Sequence, residues 1–404
     1  MMMVEYPTLF LLPPLEQKPP SVARWIRDWT IKQAELARQL ITVKAGLIPY
    51  DCKFKVTHRC NANCQMCLHP VKLVTDDTLA SRELSDFEVR RIIPELAESG
   101  SRSIHFSGGE PLLRIGLERF VKEASRNGLR AKLTTNGTLV TEKRALALAG
   151  AKLRSVNISL DGPSASIHDK IRGVKGFFDR TTRGIQAFVS ARESRGRPHV
   201  RINTVISHGN CHQLAELLDL ATELNVNAIH LLPVDFAHAD PSLALTPDDY
   251  ELVKEIISSR DHDIRLLGDN RLLAESLLDP KTRENVVTGQ YALGYYDSNP
   301  CYAPFMHLFI MPEGEVYTCC FVERSKENCL ASVRYQSIRE IWNSTSFQEL
   351  RRKALTSPLY PACHSCDHFL EINREIEKHM GPKGCRTSVE NTGSQGQKND
   401  KLGQ

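Results

Sequence analysis

Between residues 21 and 45 the apolar residues Trp25, Trp29, Leu36, Leu40 and Val43 recur at helical spacing, with Arg24, Arg27, Lys32, Glu35 and Arg38 largely off that stripe. A stripe of this kind predicts an amphipathic helix that ends near Gly46 and packs on the main domain; membrane-surface or partner docking is the other use of such a face. From residue 51 to 235 the pattern changes to short apolar runs separated by longer helical stretches. Strands are expected at Phe54–Thr57, Ser103–Ser107, Arg130–Thr135, Ser155–Leu160, His199–Ile206 and Ala228–Val234. The first helix between them should begin at Ser85-Asp86-Phe87-Glu88, where Ser85 and Glu88 can satisfy free backbone donors reciprocally. Leu84 and Val89 occupy the staple positions, and Gly100 is the expected stop.

Six β-α repeats predict an α/β fold, a parallel sheet with helices outside. Consecutive right-handed crossovers curl such a sheet into a barrel or partial barrel; an open doubly wound sheet is the alternative. In both, functional side chains belong at the C-terminal ends of the strands. Residues 236–300 read as a helical connector, with Thr246-Pro247-Asp248-Asp249 as a helix start. Residues 301–372 read as a second, small, cysteine-rich unit. It should hold a hairpin over 308–317 turning at Glu313-Gly314, then a helix over about Ile338–Leu350. The proline-rich start belongs with the first helix in a segment 1–50, and 373–404 is a tail. From Gly381 onward the tail is polar and expected to be disordered.

With 404 residues, 41% of them hydrophobic, the chain can bury one large core and a smaller one. The formal net charge of +4 comes from mixed acids and bases, so no basic stripe marks a nucleic-acid partner. No apolar run approaches the roughly 18 residues of a spanning helix. Pro13 and Pro14 interrupt Leu9-Phe10-Leu11-Leu12, and no basic segment or small-residue cleavage site accompanies it, so a signal peptide is not expected. The 12 cysteines then read as metal or redox ligands in a reducing cytoplasm.

Three of them stand at C-x3-C-x2-C in His58-Arg59-Cys60-Asn61-Ala62-Asn63-Cys64-Gln65-Met66-Cys67, directly after the first strand. Thiolates this close can converge on one metal centre. Three of them leave one iron of a cubic iron–sulfur cluster without a protein ligand, open to substrate or cofactor. A structural zinc site, the alternative, usually has paired C-x2-C units and a closed set of four. This stretch resembles the signature of the radical S-adenosylmethionine (radical SAM) superfamily, although Met66 stands where relatives usually carry an aromatic residue. The resemblance implies a partial (β/α)6 barrel and a 4Fe–4S cluster formed on Cys60, Cys64 and Cys67. It also implies SAM bound at the open iron and cleaved reductively to a 5′-deoxyadenosyl radical.

Ser107-Gly108-Gly109-Glu110-Pro111, at the next strand end, is similar to the superfamily's GGE motif. The resemblance implies that Gly108, Gly109 and Glu110 hold the SAM amino group. It further implies that Ser159 at the end of the fourth strand contacts the methionyl or ribose part, with Asn136 at the end of the third doing likewise. Asn136-Gly137 and Asp161-Gly162 are also ordinary turn dipeptides. His168-Asp169-Lys170-Ile171-Arg172-Gly173 resembles a stretch found in relatives with extra clusters. Arg172 is expected on a carboxylate of SAM or substrate, or else in a surface salt bridge.

Cys301, Gly314, Cys319, Cys363 and Cys366 follow the opening of the SPASM and twitch extensions of these enzymes, C-x(9–15)-G-x4-C and then C-x2-C. No cysteines continue the full SPASM spacing after Cys366. The resemblance therefore implies the shorter twitch form, with a second, auxiliary 4Fe–4S cluster on Cys301, Cys319, Cys363 and Cys366, and Cys320 as an alternative ligand. The expected function is a radical SAM oxidation or epimerisation of a small metabolite such as a sugar or aminosugar. A maturase acting on a ribosomal precursor peptide is the alternative, and a non-catalytic metal-binding protein a remote one. An external electron donor such as flavodoxin or ferredoxin is the expected partner.

Overall fold

The computed structural model describes residues 48–67, 81–234, 241–260, 288–323, 325–355, 360–366 and 369–380. The expected helix over 21–45, the tail from Gly381 and Cys385 lie outside the described residues. Among those described, nine strands form one sheet in the order β6-β5-β4-β3-β2-β1-β7-β8-β9. β1 (Asp51–Lys55), β2 (Ser103–Ser107), β3 (Arg130–Thr135), β4 (Ser155–Ser159), β5 (His199–Ile206) and β6 (Ala228–Pro233) are parallel neighbours in chain order. Between them run α1 (Asp86–Glu98), α2 (Leu117–Arg126), α3 (Glu142–Gly150), α4 (Ala165–Arg172), α5 (Phe177–Arg195) and α6 (Leu214–Glu223). α7 (Pro247–Ser259) follows, with the expected Thr246 cap. The sheet is not a closed barrel: β6 and β9 are its edges. It has the strand order of a partial (β/α)6 barrel.

Strand alternation explains how this sheet makes a site. Phe54, Phe106, Leu133, Ile158, Ile202 and Ile229 are fully buried and join one core with the helices. Each such side chain stabilises the fold by about 1.5–3 kcal/mol. The alternate positions are polar: Lys53 and Lys55, His105 and Ser107, Lys132 and Thr134, Asn157 and Ser159, Arg201 and Asn203, then His230. A parallel sheet covered by helices on both faces would be apolar on both. Here the second face lines a polar interior instead.

The C-terminal unit is not a separate layer. β7 (His307–Ile310) pairs parallel with β1, Lys53 opposite Phe309 and Phe54 opposite Ile310. β8 (Glu315–Tyr317) and β9 (Ala331–Ser332) continue the sheet antiparallel. The expected hairpin forms, with Gly314 in the left-handed region at its turn (φ 93°). Around it lie α8 (Tyr295–Ser298), α9 (Ala303–Met306), α10 (Ile338–Asn343), α11 (Thr345–Ala354) and α12 (Leu370–Met380). The single helix expected over Ile338–Leu350 is two, α10 and α11. Ser344, with extended backbone, ends the first and caps the second by accepting from the Phe347 N–H at 3.3 Å.

Candidate active site

The cysteine loop, 58–67, leaves β1 at the C-terminal edge of the sheet and is pinned from three sides. The end of β2 holds it first: the Gly109 N–H donates to Thr57 O (2.8 Å) and the Glu110 N–H to Arg59 O (2.7 Å). The backbones approach so closely that a Cβ on Gly108 would sit 2.5 Å from Thr57 O. One on Gly109 would sit 2.4 Å from Arg59 O and 2.5 Å from His58 O. Glycine is therefore required at both positions by the loop itself. The second anchor is the C-terminus of α4. Its free carbonyls on Ile171 and Arg172 accept from the N–H groups of Gln65 (3.0 Å) and Asn63 (2.9 Å). Gly173, the left-handed cap (φ 68°), lets Asn63 O approach to where a Cβ would be 2.3 Å away. The third is Glu83, which accepts from Thr57 Oγ1 and the His58 N–H, both at 2.8 Å, and is backed by Arg114 at 3.5 Å.

Glu110 is 1% exposed. Its carboxylate accepts from the Leu112 N–H (2.9 Å), Thr135 Oγ1 (2.7 Å) and the Asn136 N–H (2.7 Å). Burial pushes its acidity weaker against those three hydrogen bonds. The group ties β2 to β3. Asn136 donates through Nδ2 to Asn61 Oδ1 (2.7 Å), and Asn61 donates to Thr138 Oγ1 (2.9 Å). Asn136 thus reaches the cysteine loop. Arg172 is not in a surface salt bridge: it meets a protein carboxylate inside the fold. Its Nε is 2.6 Å from Asp161 Oδ2, which is fully buried, and its Nη1 donates to Cys64 Sγ at 3.5 Å. Ser159 stands half-buried on the polar inner face, in register with Asn203. The Asn203 Oδ1 is buried and has no hydrogen-bond partner among the described residues.

Cys60 and Cys64 are half-buried and Cys67 is exposed; none is in a disulfide. Burial pushes the Cys60 thiol up to about 12, with Glu110, Cys64 and Cys67 adding to the effect. Burial also raises Cys64, opposed by Arg172. Such thiols ionise when a metal binds them, because the ligand is the thiolate. Cys301, Cys319, Cys363 and Cys366 pack around one apolar cluster with Tyr296, Ala303 and Phe369. Burial pushes Cys301 up to about 12, and Cys319 is raised well above the usual thiol value by burial and its neighbours Cys320, Cys301 and Cys363. Tyr296 Oη donates to Cys366 Sγ (3.9 Å), and Asn373 Nδ2 donates to Tyr296 Oη (2.8 Å) and Cys301 Sγ (3.9 Å). Thiols gathered in an apolar shell with hydrogen-bond donors aimed at sulfur fit an iron–sulfur cluster. Cys320 and Cys329 pack beside Cys319 against Phe309, Met311, Tyr317 and Val322.

Sequence reasoning missed Glu83, Asn203, Tyr296 and Asn373, and named Asp161 only as part of a turn dipeptide. Asn203 alone had a legible signal, a polar residue in period-2 alternation inside an apolar strand. Also missed were two links from the C-terminal unit: Glu323 to Lys55 on the inner face, and Glu313 Oε2 to His58 Nε2 at 2.7 Å.

Residues 54–230 match the radical SAM superfamily and residues 301–367 an iron–sulfur cluster-binding domain of the SPASM type. The chain is 30% identical to the PqqA peptide cyclase of Bradyrhizobium diazoefficiens over 344 residues, 84% of this chain and 83% of that protein. It is 28% identical to the AdoMet-dependent heme synthase of Methanosarcina barkeri over 304 residues, 74% of this chain and 83% of that one. Among solved structures, Streptococcus suis SuiB bound to S-adenosylmethionine aligns with TM-score 0.55 at 15% identity, over 84% of this chain and 74% of that chain. No helix among the described residues is long and apolar enough to cross a membrane. A cysteine triad at the end of β1, a GGE turn locked against it and a second cysteine nest on the same sheet meet in one chain, which belongs to the radical SAM superfamily and carries a C-terminal SPASM/twitch-type auxiliary iron–sulfur domain.

Proposed function

We propose that this radical SAM enzyme modifies a peptide. The observation that carries this reading is the 30% identity to a PqqA peptide cyclase along 83% of that protein. The sugar or aminosugar substrate expected from the cysteine layout finds no counterpart in the relatives named above. When bound, the open-site cluster and SAM supply a 5′-deoxyadenosyl radical that takes a hydrogen atom from a C–H bond, and the auxiliary cluster supplies an electron relay.

In this reading Cys60, Cys64 and Cys67 hold the first cluster, and Cys301, Cys319, Cys363 and Cys366 hold the second. The six residues expected on SAM divide into two groups. The Gly108–Gly109 backbone and the Ser159 hydroxyl, joined by Asn203, face SAM. Glu110, Asn136 and Arg172 fix the cysteine loop from behind, since their polar atoms are engaged by β3, Asn61, Asp161 and Cys64. The polar inner wall orients the substrate and the helices around it exclude bulk water, which protects a radical from side reactions. In the same reading residues 51–235 form the catalytic unit and 301–372 the auxiliary one, fed by an external one-electron donor of the flavodoxin or ferredoxin type.

Anaerobic reconstitution followed by SAM-cleavage assays tests this. Cys64→Ala should abolish 5′-deoxyadenosine formation and leave the auxiliary cluster in place. Replacing Cys363 and Cys366 together should remove about four irons per chain, the content of one cubane. A screen of deuterated peptides should transfer label into 5′-deoxyadenosine. Retained turnover in Cys64→Ala would refute the triad assignment. Label arriving only from a porphyrin or a sugar would overturn the peptide reading.

A further inference from the structure

The geometry points to Arg172 and Asp161 as a matched pair that sets the electron affinity of the cluster on Cys64. Arg172 is thereby a positioning and tuning residue that acts through a ligand sulfur. This rests on the proposed ligation of the first cluster by Cys60, Cys64 and Cys67.

Arg172 Nη1 donates to Cys64 Sγ at 3.5 Å, while its Nε lies 2.6 Å from Asp161 Oδ2. The two side chains are 11% and 0% exposed, so solvent screens neither charge well. Reduction of a cluster adds one negative charge. A cationic N–H donor on a ligand sulfur stabilises that charge and raises the potential. Asp161 works in the opposite sense: it neutralises part of the guanidinium's field and aims what is left. The planar fork holds its two partners in fixed directions, one on the carboxylate and one on the sulfur, which the freely rotating donors of a lysine ammonium do not.

The surroundings keep the pair from drifting. Asp161 Oδ1 accepts from the Val205 N–H at 3.0 Å, tying the carboxylate to β5. The Asp161 N–H donates to His168 Nδ1 at 3.1 Å. His168 is fully buried, and burial lowers it to about 4, so it is neutral at ordinary pH and adds no competing charge. The Arg172 carbonyl holds the Asn63 N–H at 2.9 Å, so the residue that tunes the sulfur also fixes the loop that carries it.

Redox titration of the full-length reconstituted enzyme, followed by electron paramagnetic resonance, tests the inference. The first cluster is recognised by the change that added SAM makes in its signal. Arg172→Met should shift the reduction equilibrium toward the oxidised form by about tenfold, a fall of about 59 mV for a one-electron couple. Asp161→Asn should move it the other way, because Asn keeps an oxygen for Val205 and releases the full positive charge. Arg172→Lys should lie between wild type and Arg172→Met. A purely structural role would change iron content and leave the midpoints of loaded molecules alone. Opposite shifts in Asp161→Asn and Arg172→Met support the pair. An unmoved Asp161→Asn midpoint, or shifts of the same sign, overturns it, and Asp161→Asn decides the matter even if Arg172→Met fails to hold iron. A wild type with no SAM-perturbed signal removes the proposed function and this inference together.

Discussion

Gly109 shows how much one missing side chain can position. It lies against the carbonyls of both Arg59 and His58, and no rotamer adjustment relieves a clash between a Cβ and backbone oxygens. Gly109→Ala should therefore push the cysteine loop off the end of β2. Overpacking of this kind typically costs about 1–3 kcal/mol. The expected outcome is a lower Tm together with a loss of iron at the first site, measured by metal analysis of anaerobically purified protein. Normal iron content at normal Tm would mean that the loop moves freely. Glu110 and Asn136 belong to the same argument. Glu110 resembles part of the GGE motif and Asn136 stands at the next strand end, and both have polar atoms committed to protein partners. Their identity was legible in the chain; what they touch depended on which strand end came alongside.

At the scale of elements, the helices start where local chemistry places them. Ser85 and Glu88 form the reciprocal cap: the Ser85 N–H donates to Glu88 Oε2 at 2.7 Å, and the Glu88 N–H donates to Ser85 Oγ at 3.3 Å. Leu84 and Val89 are buried as the staple requires. Ser85→Ala should cost about 1 kcal/mol, the usual worth of such a cap, read as a lower unfolding midpoint in denaturant. Loss of more than about 2 kcal/mol, the upper end for caps, would show that Ser85 also supports its neighbour Glu83 in the clamp on Thr57 and His58. The same logic failed over 338–350. Asn343-Ser344-Thr345-Ser346 offers several capping side chains in a row, and such residues compete with helix continuation. Phe347 and Leu350 also fall out of helical phase with Ile338, Ile341 and Trp342, so the boundary was written in the chain as a phase shift.

For the whole molecule, the decisive contact is the pairing of β7 with β1. It places the auxiliary cysteine nest on the sheet that carries the first triad, and it brings two acids of the C-terminal unit to the catalytic end of β1. Glu323 meets Lys55, whose ammonium also lies 5.4 Å from the centre of the Phe309 ring. Glu313 meets His58; although burial opposes it, the hydrogen bond and charge of His58 hold the Glu313 carboxyl below its ordinary range. The Lys55 and Glu323 side chains are 9% and 8% exposed, so the pair is buried. Breaking such a pair from one side costs about 3–5 kcal/mol, because the remaining charge loses its partner. Glu323→Gln and Lys55→Met should each destabilise the chain strongly and the double variant less than their sum. A coupling of about 0.5–3 kcal/mol in the double-mutant cycle is expected. Additive effects would mean that the two units are joined by the strand pairing alone.

The sequence by itself determined the elements and the donor chemistry. Alternation and caps placed the strands β2, β3 and β5 and the start of α1, because these depend on neighbours within a few residues. Two cysteine patterns marked the candidate ligand sets and pointed to the superfamily. Only the tertiary structure decided what stands behind them. Glu83 lies 25 residues from His58, Arg172 lies 108 from Cys64, and Glu323 lies 268 from Lys55. Charges this far apart in the chain leave no periodic trace, because their meeting depends on which strands pair. The polar positions recur with period 2 from β1 to β5, but only the parallel pairing of the strands set them side by side on one face.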